Sequence, residues 1–344
     1  MSSKMPGSGI GPRPAARKGI ALSESSLARE TTINGGPLPA VFEAAVEGLT
    51  LASWGQSNVE LIRRKLGTVG AVLCRGFKEP TIEEFQEFLT IVAGELFDYS
   101  YRSTPRHQVS GKIYTSTEYP AHQKIPLHNE MSYTRQWPMV LGFLCLQPAA
   151  SGGETPIADS RKVLARIDPE IRNRFATHQV QYVRNYGDDL DLSWQEVFQT
   201  DDRAVVEDFC RSAGIDWEWK SEQRLRTSQV CQAVAEHPQT HEQVWFNQAH
   251  LFHVTSLAPD VRAALINSSG GELPRNTYYG DGSEIEEDDL NHVRAAYDRE
   301  TVTFPWQQGD VLVVDNMLVA HARNAYQGKR TVVVGMGQLN EAST

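Results

Sequence analysis

Apolar residues along this chain follow two different periods, and the change of period predicts where helix gives way to sheet. Val59, Ile62 and Leu66 recur at helical spacing behind Ser57 and Glu60, which resemble a capping box, so a helix is expected there that Gly67 to Gly70 close. A short strand, Ala71 to Cys74, should follow. Thr81 and Glu84 repeat the capping pattern ahead of Ile82, Phe85, Phe88, Leu89 and Val92, a stripe with a period of about 3.6 residues that belongs to the core. From Lys112 onward the texture changes. Lys112 to Thr117 and Met139 to Leu146 have strand character, and Gly152-Gly153 marks a turn between extended segments. Ser160 and Asp168-Pro169 then start helices, the stretch from Leu192 to Cys210 has helical character, and the acidic run Glu284 to Asp289 opens another helix. Strands return at Thr301 to Phe304, Asp310 to Asp315 and Thr331 to Met336, with Gly309, Asn316 and Gly328 as turn residues.

Strands early and late, with helices before and between them, predict a mainly β fold with helical decoration, an antiparallel double-sheet barrel in which distant segments become neighbours. Residues 1–19, rich in Ser, Gly, Pro and basic side chains, are expected to be a flexible tail. Residues 20–344 are expected to form one domain, with a helical insertion at about 160–265 that covers a site.

Composition narrows the class of partner. A chain of 344 residues, 40% hydrophobic and 22% charged, can bury a large core. Its 33 basic and 43 acidic residues give a net charge of -10, which argues against a nucleic-acid binder, whose surface needs clustered Lys and Arg. Cys74, Cys145, Cys210 and Cys231 are scattered without a CxxC pair, so buried thiols are expected. No apolar run reaches the length of a membrane span, and the N-terminal basic residues precede no signal-peptide core, so a cytoplasmic protein without a membrane partner is expected. Homo-oligomers remain compatible with all of this.

The candidate chemistry sits in Ile125-Pro126-Leu127-His128-Asn129-Glu130. On an extended strand residues i and i+2 project to one face, so His128 and Glu130 can reach one metal while Asn129 points away. Two imidazoles and a carboxylate on one face of an octahedral ion, with the other positions open, are the signature of non-haem iron(II) oxygenases. His321 is the candidate third ligand, because it follows the apolar strand Asp310 to Asp315 and its turn, where barrel closure can carry it to His128. Nine residues on stands Arg330, whose planar guanidinium matches a carboxylate bidentately, as the far end of 2-oxoglutarate requires. Thr155, after Gly152-Gly153-Glu154, can add a hydroxyl.

The stretches His128-Asn129-Glu130, Gly152-Gly153-Glu154-Thr155 and His321 to Arg330 resemble the taurine dioxygenase and clavaminate synthase-like superfamily, often labelled TauD/TfdA. Within it, Tyr114 to Pro120, the HNE segment, Tyr278 to Gly282 and Phe304-Pro305-Trp306 are most similar to the syringomycin-biosynthesis (SyrP-like) group. The resemblance covers residues 20 to 340 and implies a double-stranded β-helix (jelly-roll) with iron(II) on His128, Glu130 and His321, 2-oxoglutarate on Thr155 and Arg330, and dioxygen as oxidant. Several relatives carry an insertion between the last His and the Arg, which keeps Lys329 and Arg323 as alternatives to Arg330. Related halogenases replace the carboxylate by a small residue; Glu130 is retained, which implies oxygenation. The implied substrate is an amino acid or amino-acid-like small molecule, free or tethered to a carrier protein, in specialised metabolism. Hydroxylation is the expected outcome, with desaturation and epoxidation open to the same ligand set. By the same resemblance Arg106, Arg135, Asn247 and Arg323 are candidate substrate contacts, a solvated or structural role being equally open at each.

Blander readings compete. His250 and His253, three apart, could hold a second metal on a helix, but their aromatic surroundings suggest packing instead. His237 and His241 have zinc-site spacing, yet Pro238 breaks the helix such a site needs, so both are expected at the surface. A non-catalytic cupin-like binding protein has no need of the full ligand set with Arg330, and a zinc hydrolase leaves Arg330 and Thr155 unexplained.

Overall fold

The computed structural model describes residues 27–97, 108–116, 119–187, 192–268 and 272–341. The expected tail, residues 1–19, lies outside these, as do Arg106 and Thr117-Glu118. The fold is mainly β with helices. An eight-stranded sheet runs in the order Ala28–Ile33, Gly36–Ala44, Ala71–Arg75, Val311–Asp315, Gln136–Gln147, Thr331–Glu341, Ile113–Thr115 and Gln108–Ser110. A three-stranded sheet sets Val319–Arg323 between Ile125–His128 and Ile157–Asp159.

The middle strands of the large sheet are apolar without alternation because both their faces are covered. One cover is the helix Ile82–Ala93, whose expected Thr81–Glu84 capping box forms in full and whose predicted stripe supplies Phe85, Phe88, Leu89 and Val92 to the core. The helix lies close because the sheet beneath it lacks side chains. Gly142 and Gly335 are partners across neighbouring strands, and a Cβ at either would stand 2.8 or 2.6 Å from a Leu89 methyl.

Several elements differ from expectation for local reasons. The first helix begins at Leu51, capped by Thr50, and runs to Val69; what resembles a second start at Ser57 coincides with a kink at Asn58, where φ is -122°. Gly67 is inside that helix and Gly70 alone closes it, with φ of 92°. Thr301 to Phe304 is not a strand: Val302 makes only an isolated bridge to Ile157, and the chain then leaves through Pro305. The stretch Leu192 to Cys210 is two helices, Trp194–Phe198 and Arg203–Ala213, separated where Gln199 takes φ of 55°. The region expected as a helical insertion carries sheet as well, since Val180–Tyr186, Leu225–Cys231 and Asp216–Trp219 join Arg275–Tyr279 in a four-stranded sheet. The four cysteines are buried thiols. Among the described residues no helix is long and apolar enough to cross a membrane.

Two glycines give opposite predictions. Gly67 is mid-helix with open space around a would-be Cβ, so Gly67→Ala should raise unfolding free energy by about 0.5–1 kcal/mol. Gly335→Val must displace Leu89 and Ile113, and should lower it by about 1–3 kcal/mol. Urea denaturation of both variants reads the pair; equal shifts would contradict the close approach of helix and sheet.

Candidate active site

Two chain segments that are distant in sequence cross between the small sheet and the large one side by side, in opposite directions. Ile125–His128 leads through a tight turn into Gln136–Gln147, and Val311–Asp315 leads through another into Val319–Arg323. The crossing makes His128 and His321 direct partners in the antiparallel ladder, with ring centroids 4.4 Å apart. Glu130 lies just beyond the strand end, and its Oε2 is 3.9 Å from Nε2 of His321. Ligand atoms of His128, Glu130 and His321 all lie within 4.8 Å of one another. This donor set fits one octahedral divalent ion.

The two turns are tied to each other, and the tie aims the carboxylate. Asn316 accepts from the Glu130 amide at 2.7 Å through Oδ1, and its Nδ2 donates to the carbonyls of Glu130 and Pro138 at 2.9 and 2.8 Å. Asn129 returns the contact, its Nδ2 donating to the Asn316 carbonyl at 2.6 Å and to Ser160 Oγ at 3.1 Å. Asn129 does point away from the ligand face, and its buried amide has structural work there. His128 Nδ1–H donates to the Pro126 carbonyl at 2.8 Å, which leaves Nε2 with its lone pair for a metal.

Arg330, at the opening of the strand Thr331–Glu341, lines the same cavity of about 410 Å³ as His128, His321, Thr155 and Arg323. Its Nε donates to the Gly153 carbonyl at 2.8 Å, and its Nη groups reach Ser116 and Thr155 at 3.4 Å. Burial, with the Arg323 charge behind it, pushes its pKa down to about 10. Thr155 Oγ1 accepts from Trp306 Nε1 at 3.1 Å as well as from Arg330, so its own proton remains to be donated. The paired glycines permit this approach: Gly152 and Gly153 have φ of 69° and 74°, and a Cβ on Gly153 would meet Arg330 Cδ at 3.0 Å.

The structure thus brings together all five residues expected to hold metal and co-substrate, and separates the candidate substrate contacts. Arg323 lines the cavity. Asn247 is buried and spent on the fold, donating to the Ala233 carbonyl and accepting from the Ala249 amide. Arg135 is exposed, reaches the Val230 carbonyl and does not line the cavity. Arg106 lies outside the described residues.

Among the histidines, His250 is buried with its pKa pushed down to about 3 by burial, and its Nε2–H donates to the Leu127 carbonyl, which supports packing over a second metal. His237 corrects the expectation of a surface residue. It is fully buried, its Nε2–H donating to Asp315 at 2.9 Å while Nδ1 accepts from two backbone amides. His241 is the exposed one. Asn316, Ser116 and Phe143, whose ring is 5.2 Å from His321, were not singled out as site residues. Asn316 carried the signal of a polar turn directly after an apolar strand.

The model of the family described as taurine catabolism dioxygenase TauD, TfdA matches residues 34–336. The dapdiamide synthesis protein DdaC of Enterobacter agglomerans is 44% identical over 272 residues, 79% of this chain and 83% of DdaC. A clavaminate synthase-like protein of Arabidopsis thaliana is 28% identical over 340 residues, 92% of this chain and 98% of its own. PvcB of Pseudomonas aeruginosa shares the fold with a TM-score of 0.53 at 14% identity, covering 92% of this chain and 93% of PvcB. Another PvcB structure, described as that of an Fe, alpha-ketoglutarate dependent oxygenase from an isonitrile synthetic pathway, gives a TM-score of 0.50 at 14% identity over 90% of each chain.

The tie between the turns is testable apart from any reaction. Asn316→Ala strands the Glu130 amide and two carbonyls in a buried place, so unfolding free energy should fall by about 1–3 kcal/mol. Divalent-metal affinity, read by titration, should fall about 10- to 100-fold. Wild-type affinity in a folded variant would mean that Glu130 is aimed by something else.

Proposed function

The chain belongs to the taurine catabolism dioxygenase TauD, TfdA family, and from that premise we propose that it hydroxylates an unactivated C–H bond of an amino acid or amino-acid-like molecule, free or carrier-bound, in the biosynthesis of a specialised metabolite. As a member of that family it is a dioxygenase that uses iron(II), 2-oxoglutarate and dioxygen. In this reading His128, Glu130 and His321 hold the iron, and Thr155 and Arg330 grip the far carboxylate of the co-substrate. The large and three-stranded sheets are read as the two walls of a jelly-roll. The biosynthetic context rests on the likeness to a dapdiamide synthesis protein.

The observation that carries the reading is the shared cavity: two imidazoles that can bind metal and a half-buried guanidinium that forms no salt bridge with any described carboxylate open on one space. A metal-binding protein without turnover has no use for the second feature, and a zinc hydrolase, which would use the first, leaves the second unexplained. Bound iron supplies reductive activation of dioxygen, coupled to conversion of the keto acid into succinate and carbon dioxide. The chain's own part is positional. His128 presents Nε2, Thr155 donates its hydroxyl proton to a carboxylate oxygen, and Arg330 offers the fork of donors that Gly153, Ser116 and Thr155 hold in place. Phe143, Val332 and Val334 line the remaining wall with apolar surface that excludes water from the reacting centre.

Under anaerobic conditions the wild-type protein with iron(II) and 2-oxoglutarate should develop a visible metal-to-keto-acid absorption band, and a screen of amino acids should find one that drives succinate release. His128→Ala should abolish both. Arg330→Lys should keep metal binding but weaken 2-oxoglutarate about tenfold or more, because a single ammonium cannot replace the fork. No band in wild-type protein would overturn the proposal.

A further inference from the structure

Arg323 stands two residues beyond His321 on the strand Val319–Arg323, so both side chains leave the same face, and both line the cavity. It is buried, and it forms no salt bridge with any described carboxylate. Its Nη1 donates to the Tyr119 carbonyl at 2.8 Å, and its Nη2 to those of Pro120 and Gln123 at 2.8 and 2.9 Å. The rings of Tyr326 and Tyr119 flank the guanidinium, at 5.3 and 5.9 Å from their centroids. The Tyr326 amide holds the same loop through the Ala121 carbonyl at 2.8 Å. The loop so clamped runs directly into Ile125–His128, the strand that carries the first ligand. Three of the five N–H donors are so used, and of the remaining two the Nε–H is buried and has no hydrogen-bond partner among the described residues.

A guanidinium fixed by three neutral carbonyls keeps its whole charge, and a buried N–H without an acceptor is costly unless a ligand supplies one. Arg330 with Thr155 accounts for one carboxylate of a dicarboxylate keto acid. We propose that Arg323 is a second anion contact of the cavity, its Nε–H donating to the carboxylate that the 2-oxo acid carries at its metal end. The placement beside His321, at the metal end of the cavity, selects that carboxylate over the far one. This rests on the function proposed above. Because the same guanidinium holds residues 119–123, binding of the keto acid and ordering of that loop become one event.

The test compares two keto acids in metal-loaded protein without dioxygen, by calorimetric titration: 2-oxoglutarate, which has both carboxylates, and pyruvate, which has only the one next to the keto group. Arg323→Gln should weaken both by a similar factor of about ten or more, the loss expected for a charge-assisted hydrogen bond. Arg330→Gln should weaken 2-oxoglutarate and leave pyruvate nearly unchanged. In the wild type, 2-oxoglutarate should also slow amide exchange across residues 119–123, and in Arg323→Gln it should not. Should that variant fail to fold, Arg323→Lys, which lacks Nε, is judged by the same ratio. Unchanged pyruvate affinity in a folded Arg323 variant overturns the proposal, and would assign that donor to a carboxylate of the substrate if added amino acid then binds more weakly than to wild type. A wild-type protein that binds iron but neither keto acid defeats the proposed function instead.

Discussion

The reciprocal bonding of Asn129 and Asn316 is the constraint on which the site depends. Strand pairing alone sets His128 opposite His321, but Glu130 falls past the end of its strand, where no ladder bond fixes it. Its backbone is fixed instead by both ends of the Asn316 amide, and the Asn316 carbonyl is held by Asn129 in return. Asn316 is in turn the end of a chain of buried polar contacts: Asp315 accepts from the amides of Met317 and Leu318 and from His237, so the turn has one available shape. Each such bond contributes only about 1 kcal/mol net, but an orphaned buried amide costs more than that, so the network acts by excluding alternatives.

A second constraint acts on the other side of the cavity, through backbone and not side chains. The short ladder of Ser151–Gly152 with Tyr326–Gln327 brings the loop ahead of Thr155 onto the loop ahead of Arg330. A Cβ at Gly152 would lie 2.2 Å from the Ala325 carbonyl oxygen, so this closeness excludes any other residue there. The glycine pair is therefore what lets the Gly153 carbonyl orient Arg330 while leaving its outer donors toward the cavity.

These two constraints explain how much could be read from residues alone. The His128/Glu130 pair was legible from its spacing of two, although the strand ends at His128 and Glu130 opens the turn beyond it, and the helix Ile82–Ala93 was legible because its capping box and stripe are local. The nearness of His321 and Arg330 to that pair was legible only in company, since their approach depends on how sheets close. Asn316 looked like an ordinary turn residue because its partners are 178 and 186 positions away. His237 was misjudged for a related reason: Pro238 rules out a helical zinc site but says nothing about Asp315, 78 residues on, which takes the imidazole into the interior. At Thr301 to Phe304 the alternating pattern was real, but only Val302 finds a partner strand.

The site is thus divided between a rigid half and an anion-dependent half. The half around His128, Glu130 and His321 is held by the chain itself: His128 Nδ1, the Glu130 amide, both ends of the Asn316 side chain and Asn129 Nδ2 all have protein partners. In the guanidinium half, Arg330 and Arg323 repel each other, and both have pKa values lowered chiefly by burial, which means that burial opposes their charge and nothing in the described chain fully offsets it. A protein that needed these arginines only for stability would be better served by apolar side chains of like volume. Their placement in a cavity next to the His128, Glu130 and His321 cluster makes sense when an anionic ligand completes the electrostatics, so that the fold holds the cluster ready and the ligand supplies the charge that the cavity lacks.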